Sequence, residues 1–189
     1  MGLCCQLLLF RNKEKTNNKG TLYHNYQPFQ DSTFYFINVA PQWQVFNGGN
    51  WVRLEDEVRQ YVEQNQEDIV VYTGTSGVLQ LKDRQGEYVD IYLQPEERQL
   101  PVPAYYWKIL VNEATREGIA FVGVNNPYLE GAGVEVAHVC SIEINDHPIL
   151  NDINNIDDVT KGVMYACQVG DLAEVFPEVP ELGPLGILS

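Results

Sequence analysis

No apolar run in the 189 residues approaches the eighteen or so needed to span a bilayer. A soluble protein that does not partner a membrane is therefore expected. No internal repeat is present, which excludes solenoids and propellers. No Cys-x-x-Cys and no His/Cys cluster has zinc-ligand spacing, which argues against a structural zinc site. Glycine and proline, at 15 and 10 residues, are too few for a collagen-like or low-complexity chain. Bases are scarce: 12 Lys and Arg stand against 26 Asp and Glu, for a net charge of −14. A uniformly acidic chain would repel a polyanionic substrate. The acids are not uniform, however. Residues 130–189 hold eleven acids and one base, Lys161, so the first 129 residues carry only four of the net negative charges. A nucleic-acid partner is compatible with that part, and the acidic last third reads as a solvated surface.

The first residues, MGLCCQLLLF, are too short an apolar run for a signal peptide, and their basic neighbours follow rather than precede them. Gly2 with Cys4 and Cys5 suggests acylation, but Gln6 stands where the myristoylation pattern wants Ser or Thr. Cys140 and Cys167 flank a loop-rich segment. They read either as a disulfide, worth about 3–4 kcal/mol in the chain-entropy picture and requiring an oxidising compartment, or as two buried free thiols.

What is present is enough for one well-buried domain: hydrophobic residues make up 44% of the chain and aromatics 11%, which excludes a disordered chain. Residues 33–39 are aromatic and β-branched, a strand that Pro41 is expected to end. Asn47-Gly48-Gly49-Asn50 is a turn, with Asn50 the expected N-cap of a helix over 51–64. Trp51, Leu54, Val58, Tyr61 and Val62 fall at helical spacing and form its buried stripe, with Glu55 and Arg59 one turn apart beside it. Trp43 and Trp51 read as core residues. Residues 68–73 form a strand that enters a turn at Gly74–Gly77. Residues 78–81 and 88–93 read as a hairpin, and 105–111 and 119–124 as two buried strands, with Lys108 snorkelling from the first. The pattern is α+β with an antiparallel sheet, without the strand–helix alternation of a parallel one.

Over residues 33–59, TFYFINVAPQWQVFNGGNWVRLEDEVR resembles the DNA/RNA non-specific endonucleases, the ββα-metal or His-Me finger type. VYTGTSGVL at 70–79, LPVPAYYWKILVN at 100–112 and FVGVNNP at 121–127 agree in order. The resemblance implies a nuclease-like domain over residues 31–180, whose N-terminal part is incomplete. Residues 1–30 are then a divergent or unrelated segment, and 181–189 a tail. It further implies a Mg²⁺-dependent hydrolase of DNA and/or RNA phosphodiesters from a mostly secreted family, with Cys140 and Cys167 bridged. Residue by residue, Asn47 matches the family's single protein ligand to magnesium, a hard cation that keeps most of its waters. Glu55 matches the acidic helix residue that holds metal-bound water. Arg59 matches the basic residue aimed at the phosphate. Arg53 is a further nucleic-acid contact, and Asn38 helps to shape the site.

One departure stands out. The family's general base is the His of an Asp-Arg-Gly-His motif, and family spacing puts it where this chain has Glu14-Lys15-Thr16-Asn17. Asn17 cannot accept a proton at neutral pH. His24 is the nearest histidine; His138 and His147 lie in the acidic third. The expectation is impaired hydrolysis, or a catalytically inactive nuclease-like module that binds nucleic acid or a protein.

Overall fold

A computed structural model describes residues 3–7, 14–15, 39–129 and 139–189. Its centre is an antiparallel sheet in the order β11-β10-β9-β4-β2: Met164–Cys167, Glu117–Val124, Pro103–Asn112, Ile69–Val78 and Glu14–Lys15. β12 (Gly186–Ile187) joins β10 in parallel. The expected strands at 105–111 and 119–124 are the central strand β9 and its neighbour β10. Both are buried nearly throughout, on both faces.

The alternation of side chains along β9 makes the two faces different. Tyr106 and Leu110 face helix α1 (Val52–Asn65), joined there by Ile69, Val71, Ile119 and Phe121. Trp107, Ile109 and Val111 face the other way, into a second core with Val122, Tyr165 and Leu172 of the short helix α3 (Val169–Val175). All five residues of the expected stripe on α1, Trp51 to Val62, are buried. The fold class is α+β with an antiparallel sheet.

Three local expectations are corrected. Of the strand expected over 33–39, only Val39 lies within the described residues. The strand seen there, β3 (Val39–Trp43), runs through Pro41 and pairs with β1 (Leu3–Leu7). Proline is tolerated because the partner on that side of β3 is the Asn125 side chain rather than another strand: its Nδ2 donates to the Pro41 carbonyl at 3.2 Å and its Oδ1 accepts from the Trp43 N–H at 2.9 Å, so no N–H is required of residue 41. Gly74–Gly77 is not a turn. β4 continues through it, because Gly74 faces Trp107 across the ladder and a Cβ there would overlap the Trp107 indole. The hairpin is present, as β5 (Gln80–Lys82) with β6 (Tyr88–Asp90); β7 (Tyr92–Gln94) with β8 (Gln99–Pro101) adds a second. Third, Asn50 is not an N-cap. The residue before α1 is Trp51, already helical, with no side-chain cap.

The acidic third is tied down from several directions. Cys140 and Cys167 are joined as a disulfide, with 5.7 Å between their Cα atoms. His147 caps helix α2 (Pro148–Asn151): its Nδ1 accepts from the Ile149 N–H, which leaves Nε2 to donate to the Leu188 carbonyl at 3.0 Å. The ring is buried between Tyr61 and Phe121, and the Tyr61 hydroxyl donates to the Ser189 carbonyl. Burial lowers the His147 pKa, outweighing the Leu188 hydrogen bond and Asp146, which raise it. A histidine with a depressed folded-state pKa binds protons less well folded than unfolded. Its stability contribution is therefore intact above the unfolded value of about 6.5 and is lost as pH falls below it. Between pH 7.5 and 5 the melting temperature is expected to fall more steeply in the native chain than in His147→Gln. Equal slopes would assign the acid sensitivity to carboxylates alone.

Candidate active site

The Asn-Gly-Gly-Asn-Trp segment leads into α1 as a wide helical turn, Asn47–Trp51, after a short helical turn at Gln44–Phe46. Gly49 leaves helical geometry inside it, at φ −101° and ψ −120°, so the normal helix ladder is interrupted there. Asn47 opens the turn and is half-buried. Trp51 closes it, 1% exposed, with its ring 5.3 Å from Phe46 and 5.8 Å from Tyr106. The turn and the first part of α1 are thus seated on the same core. Asn47, Arg53, Glu55 and Arg59 all come off one turn-and-helix element.

Glu55 is partly exposed and lies beside the sheet. Its Oε1 is 3.9 Å from Lys108 Nζ, an electrostatic contact longer than a hydrogen bond. Lys108 is 8% exposed. Its register partners are Thr73 on β4 and Phe121 on β10. The ammonium donates to Thr73 Oγ1 at 3.3 Å and sits 5.5 Å from the centre of the Trp51 ring. A buried ammonium needs such partners, since burying it unpaired would cost several kcal/mol. Lys108 therefore does more than snorkel. It places a positive charge between the helix that bears Glu55 and the middle of the sheet. Sequence reasoning missed this pairing. The alternation of β9 puts Lys108 on the Tyr106/Leu110 face, but nothing in the sequence says that α1 crosses there.

Arg59 lies on the outer side of α1, with a side chain 44% exposed, and bonds Asp56 Oδ1 at 2.6 Å. Arg53 is exposed on the same helix. Asn38, Asn17, His24 and His138 lie outside the described residues. Of Lys15, only the backbone pairing of β2 (Glu14–Lys15) with β4 is described. His147, the one histidine described, is committed to the α2 cap and the last residues.

The donor chemistry around the turn is all oxygen: an amide at Asn47 and a carboxylate at Glu55. Among the described residues, no three His, Cys, Asp or Glu side chains gather into a metal-binding group. Oxygen donors of these two kinds suit a hard cation that keeps most of its water, rather than a metal held in a full protein cage.

A family model of the DNA/RNA non-specific endonucleases matches residues 21–172. The chain belongs to this family. Relatives include a salivary endonuclease of Lutzomyia longipalpis, 39% identical over 112 residues, which are 59% of this chain and 27% of that protein. Salivary protein Tsal1 of Glossina morsitans morsitans is 27% identical over 157 residues, 82% of this chain and 38% of that protein. The chain thus spans well under half the length of these relatives. Among solved structures, a chain of the EndoG/EndoGI complex is similar at a TM-score of 0.42 and 26% identity, covering 61% of this chain and 49% of that one. The family is one of metal-dependent nucleases, and this member has the α+β architecture with an antiparallel sheet that the resemblance implied. No helix among the described residues is long and apolar enough to cross a membrane.

Proposed function

We propose that the chain carries the turn-and-helix half of a Mg²⁺-dependent endonuclease site acting on DNA or RNA phosphodiesters. We further propose that hydrolysis by these 189 residues is impaired. The observation that carries the first reading is the seating of Asn47, Glu55 and Arg59 on one element anchored through Trp51. In this reading the Asn47 amide oxygen would hold the ion, and Glu55 would orient its water. When bound, the ion supplies charge stabilisation at the scissile phosphate and the leaving oxygen. Lys108 sits close enough to Glu55 to keep a positive charge against its carboxylate. Arg59 is free to leave Asp56 for a phosphate at little cost, because an exposed ion pair contributes at most about 1 kcal/mol. Arg53 adds a second, exposed contact to a nucleic-acid backbone. Asn38 remains a proposed shaping residue. The salivary descriptions of the relatives support an extracellular setting, in which the Cys140–Cys167 disulfide would persist.

Asn17 favours a second reading for the chain as it stands, a nuclease-like module that binds nucleic acid or a protein without turnover. The two share the metal site and differ in rate. The site itself is tested by Mg²⁺ titration of the ¹⁵N-labelled chain. The amides of Asn47 and Glu55 are expected to shift first. Larger shifts in the acidic segment at 152–158, or none at Asn47, would remove the metal assignment.

A further inference from the structure

Asn50 is wholly buried, and its interactions run away from its own helix. Its backbone N–H donates to the Lys161 carbonyl at 2.8 Å. Its side-chain Nδ2 donates to the carbonyls of Gly162 at 2.7 Å and Asn155 at 3.0 Å. All of its N–H donors therefore bind one segment, residues 155–162, more than a hundred positions further along the chain. The contact is close on both sides. A Cβ at Gly49 would overlap the Lys161 carbonyl oxygen, and one at Gly162, where φ is +92°, would overlap Phe46. The segment is itself braced: Asp158 Oδ1 accepts from the Thr160 N–H at 2.9 Å and its Oδ2 lies 3.5 Å from Lys161 Nζ.

The Asn50 carbonyl oxygen, Oδ1, is buried without a hydrogen-bond partner. An apolar residue of this size would fill the space without leaving a buried acceptor unmet. The amide earns its place through its donors. Those donors hold a turn that its own ladder cannot hold, because Gly49 breaks helical geometry inside it.

We infer that Asn50 is a positioning residue for Asn47: it clamps the turn that carries Asn47 to residues 155–162. The inference rests on the reading of Asn47 as the metal ligand for its consequence, though not for the clamp itself. The acidic last third then acts on the site through backbone carbonyls rather than through its charge.

The test compares the full native chain with Asn50→Asp, which keeps the size but turns an oxygen toward two carbonyls, and with the milder Asn50→Ser. Leu172→Ala, buried in the opposite core, serves as a control of comparable destabilisation. Hydrogen exchange at the amides of residues 48–51 is read together with the Mg²⁺ midpoint at the Asn47 amide. Both Asn50 variants are expected to speed exchange in the turn and to weaken Mg²⁺ binding roughly 10–100-fold, the range for supporting residues around a metal. Leu172→Ala is expected to do neither. Native exchange in the turn of both variants overturns the inference, as does an equal loss of Mg²⁺ binding in Leu172→Ala. Should the native chain show no Mg²⁺ response at Asn47, the metal reading fails, and exchange in the turn alone decides the clamp. If Asn50→Asp does not fold, Asn50→Ser is read by the same criteria.

Discussion

Plasmid DNA incubated with Mg²⁺ and the native chain is expected to remain mostly supercoiled. A positioned general base contributes about 10²–10⁴-fold in rate, and Asn17 provides none. Binding should survive better than turnover, because Arg59 and the ion act electrostatically and without a proton transfer. Replacing Glu14-Lys15-Thr16-Asn17 by Asp-Arg-Gly-His is expected to raise nicking, and adding Asn47→Ala to that variant is expected to remove the gain. If the native chain nicks DNA at a rate typical of the family and His24→Ala abolishes it, His24 is the base and the assignment to Asn17 is wrong. If the restored motif gains nothing while the chain still binds DNA, the binding-module reading is the better one.

The second large effect is structural. Trp51→Ala removes a ring that is 1% exposed, packs on Phe46 and Tyr106, and lies under the Lys108 ammonium. A truncation of this kind costs about 3–5 kcal/mol. For a chain of this length that corresponds to a fall in melting temperature of roughly 6–20 °C. The loss should reach the site as well, since Lys108 loses a face against which it is held and Asn47 loses the anchor of its turn. Trp51→Phe should recover most of the stability. A fall of only a degree or two in Trp51→Ala would mean that the turn is seated by something other than this ring.

Helix α1 was legible because its stripe repeats at 3.6 residues and every member of the stripe is apolar. Strands β9 and β10 were legible for a related reason: a segment buried on both faces is nearly continuous in apolar residues, and 105–111 and 119–124 are. Pro41 and the Gly74–Gly77 segment misled because proline and glycine are local punctuation only when no neighbour overrides them. At Pro41 the override is the Asn125 side chain, which bonds that edge of the strand in place of a paired neighbour, and at Gly74 it is the Trp107 ring filling the place of a side chain. The motif around Asn47, Glu55 and Arg59 was readable as a pattern, and the family match extends well beyond it, over residues 21–172.

The α+β class, the core stripe of α1, the buried strands β9 and β10 and the kinship with non-specific endonucleases can be read without coordinates, because each depends on local periodicity or on an ordered motif. The three-dimensional packing is what shows that Lys108 meets Glu55, that Arg59 turns to Asp56, that His147 is occupied by the last residues, and that Asn50 binds residues 155–162 instead of capping its helix. Most of these pairings join residues far apart in the chain. Charge and hydrogen-bonding capacity are visible in a sequence, but which donor finds which acceptor is set by how the sheet, the helix and the closing segment cross in space.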